Sequence, residues 1–398
     1  MSSKPRFVGK KVKLGDVCDV LNGFAFKSRQ YVDKGIRIIR IANVQKGHLE
    51  DSKPCFYPVK LTDSLKQYIL EENDLLVSLT GNVGRVALLE KSFLPAALNQ
   101  RVACLRIKDE SRICERYLYH ALNSSLFENN CVESANGIAQ KNMSTTWLKG
   151  YRIPAPSMVE QEIIIKQLDL IQRQISNVKR QLSEFDSLVK SRFVEMFGDL
   201  EHGYKCSSCK LESIAEVGSS KRVFKNELLS EGVPFYRGTE VAELSAGGSI
   251  KPSLFISKEH YERLIGSTGK PEIGDLLLPS ICPGGQIWCV NTNAPFYFKD
   301  GRVLWIRPDR DAVDGVYLRH ALSTMFQMSF SNIASGTTFA ELKIFLLKEL
   351  NVPLPELKDQ KEFVSFASQV DKSRFIAQQQ IEKLQMLYNS LAQDYFGD

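Results

Sequence analysis

The clearest structural signal in the chain lies in residues 153–189, IPAPSMVEQEIIIKQLDLIQRQISNVKRQLSEFDSLV. Its two prolines disfavour helix immediately before them. After the prolines, apolar residues recur at alternating spacings of four and three, the heptad pattern of a helix that pairs with another helix. Residues 160–197 in one helix would extend about 57 Å at 1.5 Å per residue. The predicted seam consists of Ile164, Leu168, Ile171, Ile175, Val178, Leu182, Phe185 and Val189.

The same pattern recurs 199 residues later, in residues 352–388, VPLPELKDQKEFVSFASQVDKSRFIAQQQIEKLQMLY. An acidic residue followed by glutamine opens the helix in both copies, at Glu160-Gln161 and at Asp359-Gln360. Arg374 interrupts the second seam with a charge. That seam consists of Phe363, Ala367, Val370, Arg374, Ala377, Ile381, Leu384 and Tyr388.

The repeat extends over nearly the whole chain. Upstream of the helices its offset varies between 197 and 201 residues, so the middle of each copy differs in length. A repeat this long means two copies of a whole domain with its connector, because solenoid repeats have periods of 20–50 residues. The matching pairs include residues 101–106 (RVACLR) and 302–307 (RVLWIR), 117–122 (YLYHAL) and 317–322 (YLRHAL), and 197–199 and 396–398 (both FGD).

The first 155 or so residues of each copy alternate short apolar stretches with Gly, Asn and Pro. Strands are predicted at residues 37–44, 74–79 and 100–107, and helix near residues 114–126. The sequence therefore predicts an α+β fold with two mixed α/β domains and two long helices. The predicted boundaries are 1–156 for the first domain, 157–199 for its helix, 200–355 for the second domain and 356–398 for its helix.

An apolar stripe this long needs a covering partner, and the other long helix of the same chain is the nearest one. If an approximate twofold axis relates the copies, the two helices run antiparallel. The alternative is that each helix folds back on its own domain as ordinary core.

Composition limits the class of partner. The chain has 52 basic and 46 acidic residues, a formal net charge of +6. Residues 1–199 contain 30 basic and 22 acidic residues and the remainder 22 and 24, so only the first half is clearly basic. An anionic partner is therefore permitted. Nine scattered cysteines and the absence of a long apolar run indicate a reduced, cytoplasmic protein that does not enter a membrane.

Catalytic and metal-binding motifs are absent from the sequence. There is no G-x-x-x-x-G-K-[ST], no G-x-G-x-x-G after a strand, no Asn-Pro-Pro and no H-E-x-x-H. His202, Cys206 and Cys209 would supply three zinc ligands where a structural site needs four, so a plain loop is favoured and no metal is predicted. His120 and His320 occupy matching positions without a catalytic partner motif, which favours scaffold histidines.

Basic residues near turns are the predicted phosphate contacts. They are Lys27, Arg29, Lys46 and Lys141 in the first copy and Lys221, Arg222 and Lys225 in the second.

Base reading is predicted where equivalent loops differ between the copies. Residues 80–85 (TGNVGR), which include Asn82, align with residues 280–286 (SICPGGQ), so that Arg85 falls opposite Gln286. Arginine suits guanine and glutamine suits adenine. A turn that merely joins two strands is the alternative. A second divergent loop places Gln140, Lys141 and Asn142 opposite residues 339–341 (FAE).

In its order of features the chain resembles the specificity subunit of type I restriction-modification systems. The features are residues 14–17 (LGDV) before Gly23, residues 39–44 (IRIANV), residues 274–277 (GDLL) and the Glu-Gln pair. Each of these motifs is weak alone, and their order and duplication make the resemblance specific.

The resemblance implies two target recognition domains in a pseudo-twofold arrangement, separated by a long antiparallel two-helix coiled coil. Each domain would read one half of a bipartite double-stranded DNA site, and the helices would set the unread gap. Two modification (methyltransferase) subunits and restriction subunits would dock on the chain. S-adenosylmethionine, ATP and Mg would bind only to those partners. The alternatives are a coiled-coil assembly scaffold whose heads bind proteins only, and an independent enzyme, for which the sequence has no residues.

Overall fold

The computed structural model describes residues 10–60, 63–135, 142–199, 202–333 and 341–397. The chain divides into unit 1, Met1–Arg180 with Gln378–Asp398, and unit 2, Gln181–Ala377. Each long helix is therefore shared between the units. The domain boundaries drawn from the sequence at residues 156, 199 and 355 stay predictions.

Unit 1 is built on a four-stranded antiparallel sheet of order β2-β8-β5-β6. Unit 1 also contains a three-stranded sheet of order β4-β3-β7, and β1 pairs with β9. The strands are β1 (Lys11–Lys13), β2 (Cys18–Asn22), β3 (Ile36–Ile39), β4 (Phe56–Tyr57), β5 (Leu75–Ser78), β6 (Val86–Leu88), β7 (Ala96–Leu98), β8 (Val102–Ile107) and β9 (Arg152–Pro154). The helices are α1 (Leu14–Val17), α2 (Asp63–Lys66), α3 (Glu115–Leu122), α4 (Ser125–Ser134), α5 (Thr145–Gly150) and α6 (Met158–Phe197).

Unit 2 repeats this plan, with a four-stranded sheet of order β13-β19-β16-β17, a three-stranded sheet of order β15-β14-β18, and the pairs β12-β20 and β10-β11. The strands are β10 (Gly198–Asp199), β11 (Gly203–Tyr204), β12 (Ser208–Lys210), β13 (Ala215–Ser219), β14 (Val233–Tyr236), β15 (Phe255–Ile256), β16 (Leu276–Pro279), β17 (Trp288–Cys289), β18 (Tyr297–Phe298), β19 (Val303–Pro308) and β20 (Asn351–Pro353). The helices are α7 (Gly238–Ser245), α8 (Lys258–Thr268), α9 (Gly315–Ile333), α10 (Ile344–Lys348) and α11 (Leu357–Phe396).

The short apolar runs in the sequence form the central strands of the four-stranded sheets. Every residue of β5 and of β16 is buried, as expected of strands covered on both faces. One face of the unit 1 sheet packs on α3 and α4, and the other packs on residues of the three-stranded sheet. The predicted mixed α and β character is confirmed.

The copies differ most around the three-stranded sheets, which explains the varying offset of the repeat. Unit 2 carries α7 and α8, of eight and eleven residues. At the equivalent places unit 1 has a single 3-10 turn, Ile41–Asn43, and the four-residue α2.

Both long helices are present and each contains 40 residues. Ser157 and Glu160 form a capping box at the start of α6, because the Ser157 N–H donates to Glu160 Oε2 at 2.9 Å and the Glu160 N–H donates to Ser157 Oγ at 3.4 Å. The sequence pattern therefore predicted both the existence and the start of the helix.

The two long helices run antiparallel where they meet inside each unit. In unit 1, Tyr395 donates to Gln167, and Gln172 donates to the Tyr388 hydroxyl at 3.5 Å. Along this contact the residue numbers rise on α6 and fall on α11, which is the antiparallel arrangement. In unit 2 the Phe193 and Phe363 rings meet with centroids 5.5 Å apart.

The seam residues pack both on the other long helix and on the α/β domain. Most are buried: Ile164, Leu168, Ile171, Ile175, Val178, Val189, Phe363, Ala367, Val370, Ala377 and Tyr388. Leu182, Phe185, Ile381 and Leu384 are half-buried. In each unit the seam shares one apolar cluster with the α/β domain, so the helix halves pack on each other and also on that domain.

Arg374 occupies a seam position without leaving a buried charge unpaired. Its guanidinium lies 2.6 Å from the Asp186 carboxylate on α6 and 3.7 Å from that of Asp371. Because 38% of the Arg374 side chain and 61% of the Asp186 side chain remain exposed, the pair contributes under about 1 kcal/mol.

Candidate nucleic-acid interface

The loops predicted to bind DNA leave one end of the four-stranded sheet in each unit. In unit 1 the last residues of β2 and β5, Asn22 and Ser78, pair with neighbouring residues at the start of β8. In unit 2 the last residues of β13 and β16, Ser219 and Pro279, pair in the same way with the start of β19. We call these places the sheet ends of units 1 and 2.

The loop after β5 is a tight turn held against α4. Ser78 Oγ donates to the Asn82 carbonyl at 2.5 Å and accepts from the Arg85 N–H at 3.0 Å. Gly84 has a φ of +81°, and a Cβ there would lie 2.7 Å from Cys131 Cβ on α4. The turn therefore requires glycine at this position, both for its backbone angle and for close packing.

Arg85 is less free than the sequence suggested. Its side chain is half-buried and its guanidinium donates to the Gln45 side chain from a separate loop. Gln45 is 40 residues away in sequence, so nothing in the local pattern predicted this partner. The bond leaves other donors of the guanidinium available and holds the group in place.

The unit 1 sheet end gathers three more of the predicted residues. Asn82 is exposed on the turn. Asn142 forms a backbone bridge with Thr80, which brings the second divergent loop to the same place. Lys46 forms an ion pair with Glu128, so it is not a free cation in this structure.

Lys27 and Arg29 lie on the other loop of this sheet end, in and beside the 3-10 turn Ser28–Gln30, and both are exposed. Gln140 and Lys141 fall outside the described residues.

The corresponding turn in unit 2 packs on α9. Gly285 has a φ of +70°, and a Cβ there would lie 2.7 Å from the Ser323 carbonyl oxygen. Ser323 Oγ donates to the Gly285 carbonyl at 2.8 Å. Gln286 Oε1 is buried and has no hydrogen-bond partner among the described residues. This acceptor is therefore shielded in the present side-chain conformation, whereas one donor of the aligned Arg85 guanidinium is held by Gln45.

The second divergent loop of unit 2 presents a carboxylate where unit 1 has Asn142. Glu341 accepts from Ser280 Oγ at 2.8 Å and pairs with Arg302 at 3.0 Å and Lys343 at 2.6 Å. The Lys343 and Ser280 hydrogen bonds lower the Glu341 pKa, so the group is a carboxylate at neutral pH. The sequence alignment placed Glu341 in this loop without revealing its partners.

Lys221, Arg222 and Lys225 all lie on the loop after β13, at the unit 2 sheet end, and all three are exposed. The exposed Phe224 lies among them and was not predicted.

The glutamine of each acidic-Gln pair attaches a long helix to its domain by hydrogen bonds. The Gln161 side chain is 0% exposed; it accepts from the Cys114 N–H at 2.9 Å and donates to the Arg112 and Pro156 carbonyls, both at 3.0 Å. Gln360 repeats these bonds in unit 2, to the Asp314 N–H and to the Ala312 and Pro355 carbonyls.

The two matched histidines are scaffold residues by their contacts. His120 is fully buried, with Nδ1 3.0 Å from the Tyr388 hydroxyl and Nε2 2.9 Å from Asp169 Oδ1. Burial lowers the His120 pKa, although the Asp169 hydrogen bond opposes the shift. His320 accepts from Arg319 at 2.8 Å, and burial lowers its pKa well below the ordinary value. Both rings are therefore neutral at pH 7.

Cys209 lies in β12, paired with Val352 of β20, and all nine cysteines are free. Within the described ranges, no three or more His, Cys, Asp or Glu side chains are grouped so as to hold a metal ion. No helix in the same ranges combines the length and apolar character needed to cross a membrane.

The family model described as "Type I restriction modification DNA specificity domain" matches the chain twice, at residues 9–184 and 205–386. The two matches correspond to the two copies of the repeat.

Curated relatives carry the same description. The Escherichia coli type I restriction enzyme EcoBI specificity subunit is 29% identical over 45% of this chain, and the EcoAI specificity subunit 30% identical over 39%. The matched segments span only 36% and 27% of those two relatives. The putative type I restriction enzyme MjaX specificity subunit of Methanocaldococcus jannaschii is 24% identical over 94% of this chain and 89% of its own length.

Two solved structures have the same fold. The S subunit of a type I restriction-modification system from M. genitalium aligns with all of this chain at 16% identity and a TM-score of 0.52. A chain from a structure concerning complex assembly and conformational transition of the type I R-M system aligns at 17% identity and a TM-score of 0.55. With both copies of the repeat matched by the family model, this chain belongs to the type I restriction modification DNA specificity domain family.

Proposed function

We propose that the chain is the non-catalytic DNA specificity subunit of a type I restriction-modification enzyme, and that each unit reads one half of a bipartite double-stranded site. The observation that carries the proposal is the pair of equivalent sheet ends. Their scaffolds repeat, down to the glycine packed on a helix, while the side chains at the tips differ. A duplicated scaffold with divergent tips suits two different half-sites.

The side chains on the loops at the two sheet ends can form hydrogen bonds with the edges of DNA bases. Arg85 in unit 1 offers guanidinium donors for guanine, and Gln286 in unit 2 would offer its amide to adenine once its side chain rotates to expose the Oε1 atom that is buried here. Glu341 offers a carboxylate that accepts from cytosine N4. Exposed cations beside these groups, Lys27 and Arg29 in one unit and three cations in the other, supply phosphate contacts.

The long helices provide surfaces for partner subunits. Large apolar side chains remain exposed on them, away from the buried seam, which is typical of a surface covered in an assembly. In unit 1 these are Val159, Ile163, Leu170, Met386 and Leu387, and in unit 2 Leu188, Phe375 and Ile376.

We propose that methyltransferase subunits dock there and that restriction subunits join the complex. S-adenosylmethionine, ATP and Mg would then bind to those partners. The two continuous helices would set the gap between the half-sites.

The test is to express the chain with its methyltransferase subunit in a host without other DNA methylation and to sequence the methylome. A split motif with a constant gap is expected, and the purified complex should bind that duplex with an affinity that falls steeply as salt rises. An assembled complex that retains no duplex DNA would instead support a scaffold whose heads bind proteins only.

Docking has its own test. Ile376→Ser should weaken association with the methyltransferase subunit in a size-exclusion or light-scattering titration. Val59→Ser is the matched control, because Val59 is 71% exposed and belongs to no long helix. Equal association of both variants would remove this surface from the proposal.

A further inference from the structure

Phe224 is the exposed aromatic residue of the unit 2 sheet end. Its side chain is 56% exposed, in the segment 221–225 (KRVFK), which contains three cations in five residues. This segment follows β13 and so leaves the same sheet end as the Gln286 turn. A large exposed phenyl group costs solvation free energy, so its position among cations calls for a partner that offers both a flat apolar face and negative charge.

The loop is held firmly at its start. Ser220 Oγ donates to the Phe298 carbonyl at 2.6 Å, and the Lys221 N–H donates to the Tyr297 hydroxyl at 2.9 Å. The Phe224 N–H is capped by Glu227 Oε2 at 2.7 Å. The backbone that presents the ring is therefore ordered before any ligand binds.

Two other apolar residues of the loop are half-buried. Val223 and Leu228 pack against the cluster that contains Tyr261 and Tyr297, while Phe224 points away from it and stays exposed. Leu229, further along the same loop, is 45% exposed, so Phe224 is the more exposed of two exposed apolar side chains on this loop and the only aromatic one.

One cation lies close to the ring, and two more precede or follow it in the sequence. The Arg222 guanidinium lies 5.3 Å from the Phe224 ring centroid, a cation–π distance that steadies both groups. Lys221 and Lys225 are exposed on either side. An aromatic ring flanked by cations suits a nucleic acid, in which the bases offer faces for stacking and the phosphates offer charge.

Unit 1 has no such ring at the equivalent loop. Phe26 is 7% exposed and packs edge-on against Phe24 and Tyr57, with centroids 5.2 and 5.0 Å away. Lys27 and Arg29 follow it as exposed cations. The two loops therefore share their charge but differ in the aromatic contact.

We propose that Phe224 is a DNA-contacting wedge, which packs against a base step in the half-site read by unit 2 while Arg222 and Lys225 contact the adjoining phosphates. This inference rests on the proposed function and adds a distortion of one half-site to it. Because the ring face accepts any base, Phe224 contributes affinity and local unstacking, and the choice of base stays with the neighbouring loop.

The experiment uses the complex of the full chain with its methyltransferase subunit, bound to the split site with 2-aminopurine placed at each position in turn. Wild-type protein should raise the 2-aminopurine emission at a step in one half-site only. Phe224→Ala should abolish that signal and weaken binding about tenfold. It should leave the slope of log affinity against log salt unchanged, because no cation is removed. Lys225→Ala should reduce the slope by about one instead.

Phe224→Leu keeps an apolar side chain but removes the aromatic ring, so it separates stacking from apolar bulk. Its affinity for the split site should lie between those of Phe224→Ala and the wild type. Ile273→Ala is the matched control, because Ile273 is 49% exposed and precedes β16 at the opposite end of the same sheet. Specific binding by wild type with equal affinity and emission for Phe224→Ala would overturn the wedge and leave the proposed function standing. If wild type binds no split site, both fail.

Discussion

Replacing Gln161 by Leu should strongly destabilise the attachment of the first long helix. Leucine has a similar volume, so the change removes hydrogen bonds without opening a large cavity. It leaves the Cys114 N–H and the Arg112 and Pro156 carbonyls without the bonds they make now. Each unsatisfied buried group costs about 1–3 kcal/mol, and added apolar contact recovers part of this, so we expect a net loss of about 3 kcal/mol.

The loss is measurable by urea unfolding followed by circular dichroism, with hydrogen exchange and mass spectrometry to locate it. Exchange should rise in α3 and at the start of α6. Gln360→Leu should have the matching effect in unit 2, at α9 and the start of α11, because its bonds are equivalent. Gln174→Leu on the exposed face of α6 is the control. A surface substitution usually changes the unfolding free energy by about 0.5 kcal/mol or less. If the unfolding free energies of Gln161→Leu and Gln174→Leu agree within that amount, the reasoning is wrong.

Four further outcomes are expected. Arg85→Ala should relax preference at one base pair of one half-site, at a cost of about 1–3 kcal/mol in binding assays with substituted duplexes, and uniform weakening on all duplexes would make it a backbone contact. Inserting one matched heptad in both long helices should change the permitted gap in methylome sequencing and keep both half sequences; altered half sequences with an unchanged gap would contradict the spacer role. His120 has a folded-state pKa below its unfolded value of 6.5, so its contribution to stability is present above that value and is lost as pH falls below it. His120→Gln should therefore reduce the slope of unfolding free energy against pH just below pH 6.5 by up to about 1.4 kcal/mol per pH unit, and an unchanged slope would show that another group titrates. Arg374→Leu should leave thermal stability equal or higher, since an exposed ion pair is replaced by seam packing, whereas a loss above about 1 kcal/mol would give the pair with Asp186 a larger role.

The sequence predicted the elements whose signal is periodic. The heptad seams predicted both long helices, because a stripe of apolar residues recurs on one face for about seven turns. The run LLVS at β5 predicted a buried strand in the same way. The repeat predicted that unit 2 would be a second copy of the domain in unit 1, and the structure shows that the two four-stranded sheets have matching strand orders.

The site was predicted less completely. The alignment of the copies found Arg85 and Gln286 on equivalent turns, and the structure places both turns at sheet ends. It could not find that Gln45 engages Arg85, because the pair is 40 residues apart and neither residue belongs to a motif. Phe224 was missed because its sequence context resembles that of the buried Phe26, since each phenylalanine is followed directly by a lysine in the loop after the first strand of the four-stranded sheet.

Repeat length and heptad spacing are properties of the amino-acid chain alone, and they were enough to specify a duplicated α/β domain with a long helix in each copy. The folded arrangement was needed to show which loops share a sheet end, which aromatic rings are exposed, and that the Gln161 and Gln360 side chains are buried and hydrogen-bonded. Those outcomes depend on strand order and on contacts between residues far apart in sequence, which local patterns do not specify.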